Sequence, residues 1–179
     1  IMTNHHVIDN STEVRVIFED GRMYEANIIG SDRLTDIGLV KIVASNLIPI
    51  SIGNSDKMLV GDLAVAIGHP LTLGAAPTVT TGVVSALERR LDVGGDLMGS
   101  SVTLFGLIQT DAPITRGSSG GALINKNGEL IGITTAIATA DVGAEGLGFA
   151  VPINLALNIA EDLIKDGEIL HCLLYTSDA

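Results

Sequence analysis

A single short stretch of the chain combines residues that could carry covalent chemistry. In Thr115-Arg116-Gly117-Ser118-Ser119-Gly120-Gly121-Ala122-Leu123, a serine stands between one glycine two residues before it and a glycine pair just after it. Glycine reaches backbone conformations closed to other residues, so this segment can bend sharply. Such a bend would let the backbone N–H groups of Gly117 and Ser119 point at one spot beside the serine hydroxyl. Donors fixed before negative charge develops on a carbonyl oxygen form an oxyanion hole. The same residues also make an ordinary Gly/Ser surface turn, so the case depends on what the rest of the chain supplies.

A serine hydroxyl is a weak nucleophile at neutral pH. It needs a base to take its proton, and the base needs a partner to set its tautomer and stabilise its charged form. His6 is the candidate base and Asp36 the candidate partner. His69, in the Gly68-His69-Pro70 break, is the rival base, and Asp32 is the local competitor of Asp36. Asp at a strand entrance ordinarily caps a turn. His5 and His6 could be read as metal ligands, but adjacent side chains diverge and no Cys/His set follows at zinc spacing. No metal site is expected.

Bulk properties narrow the classes. Of 179 residues, 46% are hydrophobic, only 3% aromatic and none is tryptophan, so the core must be built from Val, Ile, Leu and Ala. With 21 glycines and 17% charged residues the chain is turn-rich and globular. A formal charge of −11 argues against nucleic acid as a partner. No apolar run approaches a membrane span. The lone cysteine, Cys172, excludes an internal disulfide framework.

The elements that must position the serine turn are mostly strands. Glu13–Glu19 and Met23–Ile29, joined through Asp20-Gly21, predict a hairpin. Ile37–Ile42 is a further strand after the polar Ser31–Asp36 stretch. Leu63–Ile67 is a continuous apolar run suited to a strand buried on both faces. Val79–Leu87 is another strand, and Glu88–Ser101 turns polar and glycine-rich, as a loop would. Gly94-Gly95 there lacks the Lys-Ser/Thr ending of a phosphate-binding loop. Leu107–Thr110 leads to the serine turn, and a second hairpin forms around Asn125-Lys126-Asn127-Gly128. After the strand Leu147–Val151, Asn154 is expected to cap a helix ending near Asp166, with Gly167 just past it. Leu155, Ile159 and Leu163, with Ala156 and Ala160, make its apolar stripe. Many strands with frequent turns and one terminal helix predict an all-β domain with barrel closure.

The candidates run in the order His6, Asp36, Ser119, which is the order of chymotrypsin-like double β-barrels and not of subtilisin or the α/β-hydrolases. The chain further resembles the protease domain of the HtrA/Deg family of trypsin-like serine proteases. Thr3-Asn4-His5-His6-Val7 matches that family's TNxHV, and Thr35-Asp36-Ile37-Gly38-Leu39 its TDIAL with Gly38 in place of alanine. Gln109-Thr110-Asp111-Ala112 matches QTDA, and Gly117–Leu123 matches GNSGGAL with Ser118 in place of asparagine. Gly128–Ile133 and Gly146–Pro152 continue the pattern, so the likeness runs from Thr3 to about Gly167.

The resemblance implies an all-β, trypsin-like double six-stranded β-barrel, its first barrel truncated at the N-terminus, with a C-terminal helix. It implies that His6 is the general base, Asp36 its orienting carboxylate and Ser119 the nucleophile. The N–H groups of Gly117 and Ser119, helped by Ser118, would hold the oxyanion. Walls of the substrate pocket would come from Ile114, Ile133, Thr134, Thr135 and Ala136, with the loop Ala138–Gly146. Neither Ile114–Ser118 nor Ile133–Ile137 contains an aspartate, and Asp141 lies in the loop. The pocket is therefore expected to prefer small aliphatic side chains. No cofactor is implied.

For the whole protein the family implies ATP-independent quality control of unfolded polypeptides in a bacterial periplasm, by a homotrimer or higher oligomer carrying a PDZ domain. Residues 1–167 are expected to be the protease domain and 168–171 the start of a linker toward that PDZ domain. Residues 172–179, Cys-Leu-Leu-Tyr-Thr-Ser-Asp-Ala, read as translated sequencing adapter. Asp92–Phe105 departs from the family's usual loop. Two alternatives stand beside proteolysis: a non-cleaving, chaperone-like peptide binder, and a fragment inactive through truncation. A nucleotide-binding domain fails for lack of βαβ alternation.

Overall fold

A computed structural model describes residues 1–69, 76–93, 102–115, 117–135, 147–169 and 171. Two antiparallel sheets and one long helix make up the fold. The first sheet contains β1 (Met2–Thr3), β2 (Val14–Ile17), β3 (Met23–Asp32) and β4 (Ile37–Ile42), in the order β1-β4-β3-β2. β2 and β3 form the expected hairpin. Its turn is closed by Asp20, which accepts the Arg22 N–H at 3.0 Å, and by Gly21 at φ +84°. A short helix, α1 (His5–Ile8), follows β1 and buries Ile8.

The second sheet closes into a six-stranded barrel, β10-β7-β6-β5-β8-β9. Its strands are β5 (Leu63–Gly68), β6 (Thr78–Val93), β7 (Val102–Thr110), β8 (Ala122–Ile124), β9 (Leu130–Thr135) and β10 (Gly148–Pro152). Its inward side chains are small or branched: Ala64, Ala66, Val84, Ile108, Leu123, Ile131 and Ala150. That choice suits the narrow interior of a small barrel. The expected double barrel thus takes the form of one closed barrel and one open four-stranded sheet.

α2 (Ile153–Asp166) joins the two. It buries Ile153, Ala156, Ile159, Ala160 and Leu163 in a cluster that takes in Ile37 and Leu39 of β4 and Phe149 and Val151 of β10. Gly167 ends it in the left-handed conformation at φ +78°, where its N–H bonds to the Leu163 carbonyl.

Three expectations need correction. β5 is not buried on both faces: Ala64 and Ala66 point inward, while Leu63 is 45% exposed. An antiparallel barrel strand has one inner face, and here alanine occupies it. The polar stretch after Leu87 is not all loop, because β6 runs on to Val93 and pairs with β7 as far as Val102. Its polarity belongs to the outer face of the ribbon, while Leu91, Val93, Val102 and Leu104 of the other face pack against the core. Arg89 Nε donates to Gln109 Oε1 at 2.8 Å, Thr103 Oγ1 to Asp92 Oδ1 at 2.6 Å, and Arg90 lies 5.7 Å from the Phe105 ring centre. Finally, Pro152, not Asn154, is the N-cap of α2. Asn154 sits in the first turn, where its N–H reaches Ser55 Oγ at 3.2 Å and its side chain reaches Asn54 Oδ1 at 2.9 Å. The turn Ser55–Lys57 satisfies the helix start from a distance.

Candidate active site

Pairing of β1 with β4 brings the two ends of the first sheet together, with Met2 opposite Leu39 and Thr3 opposite Gly38. His6 follows β1 by one helical step, and Asp36 immediately precedes β4. Their meeting is therefore fixed by strand register. The His6 ring nitrogen Nδ1 lies 2.9 Å from each Asp36 carboxylate oxygen, and the His6 backbone N–H donates to Asp36 Oδ1 at 3.1 Å. An ionised carboxylate can only accept, so Nδ1 carries the proton and Nε2 keeps its lone pair. Nε2 is the atom a general base needs.

Asp36 is 4% exposed, and a carboxylate so enclosed must be paired. Besides His6, the Thr135 hydroxyl donates to Oδ2 at 3.1 Å. The Asp36 backbone stands at φ +58°, in the left-handed region. That costs an L-residue roughly 1–2 kcal/mol, least for Asp and Asn. Its carbonyl oxygen is held from two sides, by the His5 N–H at 3.1 Å and by Asn4 Nδ2 at 3.0 Å. Asn4 is fully buried, and its support for the loop went unrecognised in the sequence.

Ser119 lies in two consecutive tight turns. The Ser118 N–H bonds to the Thr115 carbonyl at 2.9 Å, with Gly117 third in the turn at φ +93°. The Gly121 N–H then bonds to the Ser118 carbonyl at 3.1 Å, with Gly120 third at φ +80°. Positive φ at the third residue of a turn favours glycine there. So the spacing of Gly117 and Gly120 around Ser118-Ser119 is turn chemistry. Ser119 occupies the second place of the second turn. The Ser118 N–H is engaged within the first turn, which differs from its expected part as an oxyanion donor.

β9 holds both halves of the site. The Thr134 hydroxyl donates to the Ser118 carbonyl at 2.6 Å, and the Gly120 N–H donates to the Thr134 carbonyl at 2.9 Å. Thr135, next along the strand, faces the other way and meets Asp36. The serine turn also abuts the first sheet directly: a Cβ on Gly120 would collide with Thr3 Oγ1. Gly120, next to Ser119 in the chain, is thus seated against the Thr3-Asn4 segment that leads into His6.

The expected pocket residues divide. Ile114 is 9% exposed, and a Cβ on Gly148 would come within 2.8 Å of its Cδ1, so Ile114 fills the space opposite Gly148. The side chain of Ile133 belongs to the core cluster with Phe149 and Leu130. Those of Thr134 and Thr135 are committed to Ser118 and Asp36. Ala136, Asp141, the loop 138–146 and Gly94-Gly95 lie outside the described residues. Of the rivals, His69 is exposed beyond β5, His5 Nδ1 meets Ser31 Oγ at 2.8 Å, and Asp32 faces Thr35. Among the described residues no group of three His, Cys, Asp or Glu side chains could hold a metal, and no helix is long and apolar enough to cross a membrane.

Residues 1–133 match the trypsin-like peptidase domain family. The periplasmic pH-dependent serine endoprotease DegQ of Escherichia coli is 49% identical over 97% of this chain and 36% of its own length. The periplasmic serine endoprotease DegP of the same organism is 46% identical over 94% of this chain and 34% of its own length. The chain thus spans about a third of the length of these curated relatives. Among solved structures, the HtrA-type protease AlgW with a tripeptide superposes with a TM-score of 0.82 at 40% identity, covering 94% of this chain and 53% of that one. A serine endoprotease from Yersinia pestis gives 0.76 at 40% identity, over 94% and 54% of the two chains. With its paired sheets, its His6–Asp36 contact and its doubly turned serine, the chain belongs to the trypsin-like peptidase domain family and stands with the HtrA-type proteases within it.

Proposed function

We propose that this chain is the proteolytic unit of a serine endopeptidase that cleaves unfolded or misfolded polypeptides through an acyl-enzyme intermediate. The observation that carries the reading is the enclosed Asp36 carboxylate, 2.9 Å from His6 Nδ1, with its second donor on the strand that holds the serine turn. In the proposed cycle, Ser119 Oγ attacks the peptide carbonyl carbon while His6 Nε2 takes the hydroxyl proton. The new oxyanion is received by the Gly117 and Ser119 N–H groups. Loss of one such donor costs about 2.7–4 kcal/mol of transition-state stabilisation. Collapse breaks the C–N bond, and the departing amine takes the proton from His6. Water then attacks the acyl carbon with His6 again as base, which frees the acid and restores Ser119. Asp36 keeps the imidazole in the right tautomer and stabilises its charged form throughout. Every step uses side chains and backbone of this chain, so the cycle calls for no cofactor.

Ile114, together with the β9 backbone at Ile133–Thr135 and with Ala136, would line the pocket for the residue before the cleaved bond. No aspartate occurs in Ile114–Ser118 or Ile133–Ile137 to receive an arginine or lysine, which favours small aliphatic side chains. The relatives named as periplasmic support the same location for this chain, and the family likeness supports a homotrimer or larger assembly with a PDZ domain in the whole protein. Casein turnover by the wild type and by Ser119→Ala tests the mechanism, with a loss of about 10⁶-fold expected in the variant. Equal turnover in both would remove it. Binding without turnover in either would favour a non-cleaving peptide binder, and cleavage of a peptide panel after Arg or Lys would overturn the pocket assignment.

A further inference from the structure

The turn that presents Asp36 starts at a second buried carboxylate that the cycle above does not use. Asp32 ends β3 and is 7% exposed. Its Oδ2 accepts the Thr35 N–H at 2.9 Å and the Thr35 hydroxyl at 2.6 Å. Its Oδ1 lies 2.7 Å from Nε2 of His171, 139 residues further along the chain. Burial works against the charge, but the Thr35 hydroxyl, His171 and the Thr35 N–H together outweigh it and hold Asp32 below the usual carboxylate range.

An Asp at this place needs only one oxygen to cap a turn. The second oxygen sets Asp32 apart, because it reaches the segment that leaves α2. That segment is packed against β3 just before Asp32: a Cβ on Gly30 would lie 2.9 Å from the Gly167 carbonyl oxygen. On its far side the left-handed Asp36 backbone is held by Asn4 and His5. On its near side the Asp32–Thr35 clamp holds it, and Thr35 is bonded directly to Asp36 through the chain. A strained conformation persists only where its surroundings over-determine it. Loosening the near side would therefore let the Asp36 carboxylate drift from His6.

We infer that Asp32 is a positioning residue for the His6–Asp36 pair, and that His171, by holding its other oxygen, ties the chain leaving α2 to the geometry of that pair. The activity readout rests on the proteolytic reading; the spectroscopic one does not. The test compares wild type, Asp32→Ala, His171→Ala and His171→Gln, each as the full chain. It reads the downfield proton resonance of His6 Nδ1–H, the thermal midpoint, and kcat and KM on a peptide substrate. Asp32→Ala is expected to shift or broaden the Nδ1–H signal and to lower kcat by about tenfold to a hundredfold with KM within about twofold, as for a small misplacement of a catalytic group. His171→Ala should do the same to a smaller extent, and His171→Gln, which keeps a donor, should restore the wild-type signal. His171→Ala leaves the Thr35 clamp in place, so it remains informative if Asp32→Ala does not fold. If the wild type cleaves nothing, the proteolytic reading fails while the Nδ1–H signal still decides this one. A lowered midpoint with the Nδ1–H resonance and kcat unchanged in both alanine variants would reduce Asp32 to a turn cap and overturn the inference.

Discussion

Replacing Thr135 by valine removes one hydroxyl and almost no volume, at a residue only 1% exposed. The branched shape is kept, so β9 should remain in place. What disappears is the donor at 3.1 Å from Asp36 Oδ2, while the His6 ring and backbone still meet the carboxylate. A hydrogen bond to a charged group contributes about 1.5–3 kcal/mol. If all of it were felt in the transition state, the rate would fall by about 10- to 150-fold. The hydroxyl meets the carboxylate in ground and transition states alike, so part of that energy is common to both and cancels. The part that does not cancel is orientation of the carboxylate on Nδ1, which places the expected loss in kcat at the lower end, about tenfold. KM should stay within about twofold, since the hydroxyl faces Asp36. Thr135→Ser keeps the donor and should recover most of the rate. Steady-state kinetics on a small-aliphatic peptide, with thermal melts beside them, make the measurement. A valine variant that melts earlier but keeps its kcat would refute the argument, and so would a serine variant as slow as the valine one.

Gly38 gives a packing prediction: a Cβ there would come within 2.7 Å of Ile8 Cδ1, so Gly38→Ala should destabilise by about 1–3 kcal/mol through overpacking. Ile8→Val removes the offending methyl, and the double variant should recover part of the loss, read as a coupling in a double-mutant cycle of melts. Asp32 gives a pH prediction. Its carboxyl titrates near 3.8 when unperturbed and lower in the folded chain, so the folded state binds fewer protons. Its contribution to stability is then complete above about pH 4 and lost as pH falls through the folded value. The gap in denaturation midpoint between wild type and Asp32→Asn should be widest near neutrality and close in acid; a gap that widens in acid would reverse the sign of the argument.

What could be foreseen from the residues was what is encoded locally. Gly117 and Gly120 announce the two turns because positive φ at a third turn position leaves few other choices, and Gly167 announces the end of α2 for the same reason. The hairpin of β2 and β3 follows from Asp20-Gly21 between two β-prone runs. The β6–β7 ribbon was hidden because its buried face is carried by a few scattered residues, Leu91, Val93, Val102 and Leu104, set among charged and glycine positions that read as loop. The cap of α2 was misplaced because the groups that satisfy its start, Ser55 and Asn54, lie about a hundred residues away. The same limit applies at the site. Motif order singled out His6, Asp36 and Ser119, but nothing in a run of apolar and threonine residues says that Thr134 faces the serine turn while Thr135 faces Asp36. That alternation decides the architecture of the centre. Two neighbouring residues of one strand hold the serine turn and the Asp36 carboxylate, so a shift of β9 by one residue would exchange the two hydroxyls and release both partners at once. The register of β9 against β8 and β10, from Ala122 opposite Ile133 to Ala150 opposite Thr134, is therefore as much a part of the site as the side chains it aligns.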